Sequence, residues 1–234
     1  MTDNPYDYGV DVRELIDGYR GLYTGAVYDI LEELGLPNQA LARDLRPIRD
    51  DMVLAGPAFT LKGIPDSSGD ESMRHHRIHM FEDMAATGVP LIDVRDTSFD
   101  EQVAHYGEMN ATVGAASGVI GAVVDGGCRD TRFLLERDFP VMCRYFTPVE
   151  AYRRWSYYQW QLEVALRGAL TTTVRVRPGD FVMGDIDGGL VIPKEVVVEV
   201  LRRTQELVAT EDRAREEFRT SDDPIAVYKK YGKL

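Results

Sequence analysis

Cysteine is nearly absent from this chain of 234 residues: Cys128 and Cys143 are the only two, and they share no CxxC spacing. That excludes the disulfide framework of a small secreted fold and a cysteine-based zinc or redox motif, leaving two free thiols. Missing too is any run of the roughly 20 apolar residues that a bilayer-spanning helix needs, so no membrane partner is expected. The opening MTDNPYDYGVDV is acidic and lacks the basic-then-apolar layout of a signal peptide, which makes the cytoplasm the expected compartment. Basic charge is also in short supply. Against 39 Asp and Glu stand 27 Lys and Arg, a formal net charge of −12, whereas a nucleic-acid binder carries a basic face. Direct contact with DNA or RNA is therefore not expected. There is no internal repeat and no low-complexity tract.

What is present is the composition of one sizeable globular domain over 1–234, with 44% hydrophobic and 28% charged residues. Residues 12–35 predict two short helices broken at Thr24-Gly25, a helical N-terminal cap. VLAGPAFTLKG predicts a strand, with Gly56-Pro57 marking a bend that an uninterrupted central strand would avoid. Residues 64–74 predict a polar loop, 75–87 a helix, and GVPLIDVRD a buried strand ending in charge. YGEMNATVGAASG carries a small-residue helix pattern, VIGAVVDGG a strand into a glycine turn, and CRDTRFLLER a new helix. FPVMCRYF predicts a short strand, and TTTVRVRPGDFVMGDIDGGLVIP two or three strands separated by Gly-Asp turns. After Pro193 comes a long helix whose stripe runs Val197, Val200, Leu201, Thr204 and Val208.

Strand, glycine turn and helix in that order put Arg129 and Asp130 at the mouth of an α/β layer, where strand ends and helix starts converge. Two readings of Asp130 compete. Its carboxylate either caps the helix TRFLLER or holds a hard cation such as Mg²⁺ or Mn²⁺ with several waters. Arg129 is either a surface charge or a fixed guanidinium for an anionic oxygen, reached past the small Gly126 and Gly127. Glu108 suits a first helical turn, and the N–H groups of Gly107, Glu108, Met109 and Asn110 suit a carboxylate. His75 and His79 share a helix face at i, i+4 but lack a third ligand at a metal-site spacing. The cluster Trp155, Tyr157, Tyr158 and Trp160 predicts core or subunit interface.

The stretch GEMNATVGAASGVIGAVVDGGCRD resembles the segment shared by 4-hydroxy-4-methyl-2-oxoglutarate aldolases and the regulators of ribonuclease activity A. GPAFT, FPV with a later TP, RPGDFVMGDIDGGLVIP and a terminal helix with KKYG occur in the family's order. The resemblance implies a layered β/β/α, swivelling-domain-like α/β fold with a helical N-terminal cap and a long C-terminal helix. It also implies a homotrimer or homohexamer. The aldolases carry an acidic residue, twenty intervening residues, then Arg-Asp, and Glu108 precedes Arg129-Asp130 by that interval, with Glu in place of the expected Asp. By resemblance, Asp130 would hold Mg²⁺ or Mn²⁺, Arg129 would contact the oxygen that becomes an enolate, and Gly107-Glu108-Met109 would bind a pyruvate-like carboxylate. The implied reaction is cleavage of a C–C bond in a 2-oxo acid, by retro-aldol or by oxaloacetate decarboxylation. The segment 64–79 departs from the family pattern and is the expected seat of specificity.

Two rivals stand beside the enzyme: a non-catalytic protein-binding regulator of a ribonuclease, served by an acidic surface, and another metal-assisted lyase or isomerase on the same scaffold. Intact Glu108, Arg129 and Asp130 favour the enzyme. Some relatives carry a menaquinone methyltransferase label, but no glycine-rich strand-helix signature for S-adenosylmethionine occurs.

Overall fold

The computed structural model describes residues 4–231. It opens on α1 (Val12–Arg20) and α2 (Thr24–Glu33), the two helices expected from the sequence. Their break falls earlier than expected, at 21–23, and Thr24 starts α2. The cause is remote in sequence: Asp185 accepts hydrogen bonds from the Thr24 backbone N–H at 2.8 Å and its hydroxyl at 2.7 Å, satisfying donors at the helix start.

Then come β1 (Arg46–Pro47), β2 (Leu54–Pro65), α3 (Glu71–Ala86), β3 (Leu91–Asp96), β4 (Ala104–Tyr106), α4 (Glu108–Ala116), β5 (Val119–Cys128), α5 (Thr131–Glu136) and β6 (Val141–Phe146). The strands β7 (Trp155–Trp160), β8 (Val164–Arg167), β9 (Thr173–Val176), β10 (Phe181–Asp185) and β11 (Gly188–Ile192) precede α6 (Val197–Thr220) and α7 (Pro224–Tyr231).

Two expectations are corrected here. The bend at Gly56-Pro57 does not interrupt β2, which runs 12 residues. β2 pairs with β10 over Leu54–Pro57 and with β3 from Ala58 onward, so the residue without an N–H sits where the neighbours change. Helix α3 starts at Glu71 rather than 75, because Asp70 caps it by accepting from the Ser72 N–H at 2.8 Å. The polar loop shrinks to 66–70.

One mixed sheet has the order β1-β6-β5-β3-β2-β10-β11, with β4 beside β5 and β7 beside β2. At its centre β2, β3, β5 and β6 run parallel, and α3, α4 and α5 lie on the connections between them. Both edges curl toward each other, since β1 also approaches β10 and β11. On the inner face, Leu54, Ile92, Val94, Val123 and Met142 pack against Leu166, Val174 and Val176 of the β8–β9 hairpin. Outside, α1, α2 and α6 cover Phe181, Met183, Leu190 and Ile192. The stripe of α6 packs as its spacing predicts, burying Val197, Val200 and Thr204. Sheet faces covered on both sides explain why β3 is buried along its whole length. Among the described residues, no helix is long and apolar enough to cross a membrane.

Candidate active site

The parallel strands leave their C-terminal ends, and the starts of α4 and α5, on one edge of the sheet. A cavity of about 250 Å³ opens there. Gly107, Met109 and Asn110 reach it from the start of α4, Arg129 and Asp130 from the end of β5, and Trp155, Ser156 and Tyr157 from β7. Asp70, Arg77 and Arg153 stand at the same cavity, so three arginines gather in a strongly acidic protein. A shallower groove beside Cys128, Phe146 and Pro148 reaches Arg129 and Asp130 from the other side.

Asp130 does not cap α5. Its backbone is left-handed at φ 57° and ψ 26°, and its side chain makes no capping hydrogen bond, which removes the bland reading of this residue. A non-glycine residue in that region costs free energy, and Asp tolerates it better than most. The carboxylate instead lies 3.3 Å from Nε of Arg129, both side chains about one-third exposed. Gly107 allows this grouping: a Cβ there would stand 2.8 Å from Asp130 Oδ2 and 3.2 Å from Arg129 Cγ. Beside the pair, the Glu108 and Met109 N–H groups at the start of α4 have no partner among the described residues.

Not every expected residue joins. The Glu108 side chain is engaged elsewhere: its Oε1 accepts from the Thr112 hydroxyl at 2.6 Å and from Arg137 at 3.0 Å, which ties α4 to the end of α5. Gly126 and Gly127 do not admit a ligand either. A Cβ on Gly126 would strike His105, and one on Gly127 would strike Tyr145 and the Val103 carbonyl, so these glycines serve packing within β5. His75 and His79 both lie exposed on α3, where His79 pairs with Glu82 at 2.9 Å. The aromatic cluster divides. Trp155 is buried and donates to the Thr97 carbonyl at 3.2 Å, Tyr157 faces the cavity, Tyr158 is exposed, and Trp160 donates to Asp83 at 2.7 Å.

Behind the cavity lie residues that local sequence patterns do not mark. His105 is buried. Gly127 donates its N–H to His105 Nδ1 at 3.0 Å, so that nitrogen carries the lone pair, and Nε2 holds the proton toward Asp100 Oδ2 at 3.0 Å. Burial agrees with that neutral form, pushing the His105 pKa down to about 4 despite the facing carboxylate. Arg95 is wholly buried against Asp93, with Nη2 2.7 Å from Oδ2 and the guanidinium over the Tyr106 ring at 4.5 Å.

Similarity to known proteins agrees with this architecture. Residues 24–191 match the RraA-like family, described as aldolase/RraA. A protein of Halalkalibacterium halodurans, provisionally named a 4-hydroxy-4-methyl-2-oxoglutarate aldolase, is 29% identical over 214 residues, covering 92% of each chain. A crystal structure described as a novel cellulase from gut-associated microbes superposes with a TM-score of 0.80 at 32% identity, over 88% of this chain and 89% of its own. Streptomyces coelicolor RraAS2, described as an unusual member of the RNase ES inhibitor RraA family, shares the fold at a TM-score of 0.71 and 22% identity, over 86% and 96% of the two chains. With the match spanning most of the sequence, the chain belongs to the RraA-like family of aldolases and RraA proteins.

Proposed function

We propose that this protein is a divalent-metal-dependent lyase that cleaves a C–C bond of a 2-oxo acid through a pyruvate enolate. The observation that carries the reading is the convergence of Arg129, Asp130 and the free N–H groups of α4 on one cavity. Asp130 suits a hard cation: its carboxylate is uncommitted to capping, partly exposed and aimed at the cavity rim. Among the described residues no three His, Cys, Asp or Glu side chains converge, so Asp130 with water would be the holder of Mg²⁺ or Mn²⁺. When bound, the cation supplies Lewis acidity toward the 2-oxo group.

The chain's own groups do the rest. The Glu108 and Met109 N–H groups, at the positive end of the α4 dipole, receive the substrate carboxylate. Arg129 donates to the oxygen on which charge develops as the bond breaks, an interaction stronger in the transition state than in the bound substrate. In retro-aldol cleavage the 4-hydroxyl gives its proton to water as its carbon leaves as a carbonyl compound, and in decarboxylation CO₂ leaves. Both place the electron pair on this enolate, and a proton taken up from water at carbon then gives pyruvate. Glu108 serves the reaction indirectly, by holding α4 in place through Arg137. Met109, Phe133 and Phe146 stand exposed near the site, as subunit faces of a trimer or hexamer would be before assembly. Cytoplasmic location is part of the same proposal.

The test is pyruvate release from a panel of 4-hydroxy-2-oxo acids and oxaloacetate, with light scattering on the same sample. Turnover of one panel member by a trimer or hexamer is expected. No turnover on any of them would favour the ribonuclease-regulator reading, to which the fold likeness to RraAS2 is relevant.

A further inference from the structure

The buried Arg95 continues toward the cavity through a chain of hydrogen bonds with a fixed direction. Asp93 accepts from its Nε and Nη2. Nη1 donates to the His105 carbonyl at 2.6 Å and to the Tyr157 hydroxyl at 3.0 Å, which uses both of its hydrogens. A guanidinium has no acceptor, so the hydroxyl's own hydrogen must find one elsewhere. The Asn110 side chain lies 2.8 Å away and supplies its Oδ1. With the amide turned over, two donors and a hydroxyl hydrogen would crowd one oxygen and leave that hydrogen without an acceptor, at the cost of an unmet partly buried donor. Oδ1 is thus committed to Tyr157. The NH₂ group of Asn110, which has no partner among the described residues, is left for the cavity that Asn110 lines beside Arg129.

We infer that Asn110 contacts the substrate as a hydrogen-bond donor, and that Arg95 and Tyr157 are positioning residues that fix its polarity. This rests on the lyase reading above and deepens it. Together with the helix N–H groups and Arg129, the Asn110 amide adds a donor to the wall of the site beside the Asp130 carboxylate. Those donors suit a ligand that presents carboxylate or carbonyl oxygens to α4, as a 2-oxo acid does.

The experiment compares wild type with Asn110→Ala, Asn110→Asp and Tyr157→Phe, all checked for folding by circular dichroism. It reads kcat and KM on the best panel substrate, and calorimetric binding of oxalate in excess Mg²⁺. Losing one charge-assisted hydrogen bond should lower kcat/KM for Asn110→Ala by about ten- to hundredfold, mainly through KM, and weaken oxalate by a similar factor. Asn110→Asp, which turns the donor into an anionic acceptor, should be worse than Asn110→Ala on both. Tyr157→Phe should weaken both severalfold, although its ring leaves the cavity lined. Asn110→Ala with wild-type KM and oxalate affinity would overturn the contact, and an impaired Asn110→Ala beside an unchanged Tyr157→Phe would overturn the positioning. If wild type itself neither turns over the panel nor binds oxalate, the lyase reading falls, and this inference with it.

Discussion

Replacing Asp130 by Asn isolates its charge from its place in the fold. Asn matches Asp in size and is among the residues that best tolerate the left-handed backbone held here at φ 57°. No capping bond is lost, because none is made. What disappears is the 3.3 Å contact with Arg129, between side chains 35% and 37% exposed. In water two unit charges at that distance interact by about 1 kcal/mol, and solvent and salt reduce this toward zero for an exposed pair. The melting temperature should therefore fall by no more than about 3 °C, the shift that about 1 kcal/mol gives in a chain of this size. Activity should respond on another scale. Altering a residue that merely supports a metal ligand typically costs about 10- to 100-fold, so losing the proposed ligand should cost about a hundredfold or more. The assay pairs thermal melting with steady-state pyruvate release over a Mg²⁺ titration. A folded Asp130→Asn protein that turns over at the wild-type rate at low Mg²⁺ would refute the assignment of the cation to Asp130.

The same geometry leads to other expectations. Arg129→Lys keeps the charge but loses the planar fork, so kcat should drop by about a hundredfold to a thousandfold with little change in KM, read by steady-state kinetics. Gly107→Ala has an extended backbone that Ala adopts freely, but its Cβ must displace the Asp130 carboxylate; activity should fall about tenfold or more while the melting temperature stays nearly constant. His105 is held neutral by burial with its pKa near 4, below the ordinary value of about 6.5, so the unfolded chain takes up the proton first. Its share of stability is present above about pH 6.5 and is lost as pH falls toward 4, by about 2 kcal/mol between pH 7 and 5. Urea unfolding at the two pH values should show that loss in wild type and a smaller one in His105→Gln.

Much of the fold is legible in the sequence alone. The order of strand then helix around 119–136 is a local pattern, and it puts Arg129 and Asp130 at the sheet edge where they are found, although Gly126 and Gly127 continue β5 instead of forming the expected turn. The stripe on α6 is equally legible, because one apolar face on a 24-residue helix leaves few alternatives. What escapes depends on partners distant in the chain. The start of α2 is set by Asp185, and the continuity of β2 through Pro57 by the exchange of β10 for β3. Tyr157 reads as core or interface because nothing near it signals a site; it reaches the cavity because β7 pairs with β2, about 90 residues earlier in the chain. Glu108 is the converse case. Its spacing to Arg129-Asp130 fits the aldolase pattern and is legible in the sequence, whereas the bonds its side chain accepts from Thr112 and Arg137 are not.

The central claim is that one cavity releases pyruvate with the help of a cation on Asp130. Pyruvate release from the best 2-oxo acid, measured after EDTA treatment and again after adding Mg²⁺ or Mn²⁺, tests it most directly. Because a single carboxylate holds a cation weakly, the account predicts that the chelator abolishes turnover and that either ion restores it. Full turnover in metal-free buffer would contradict it.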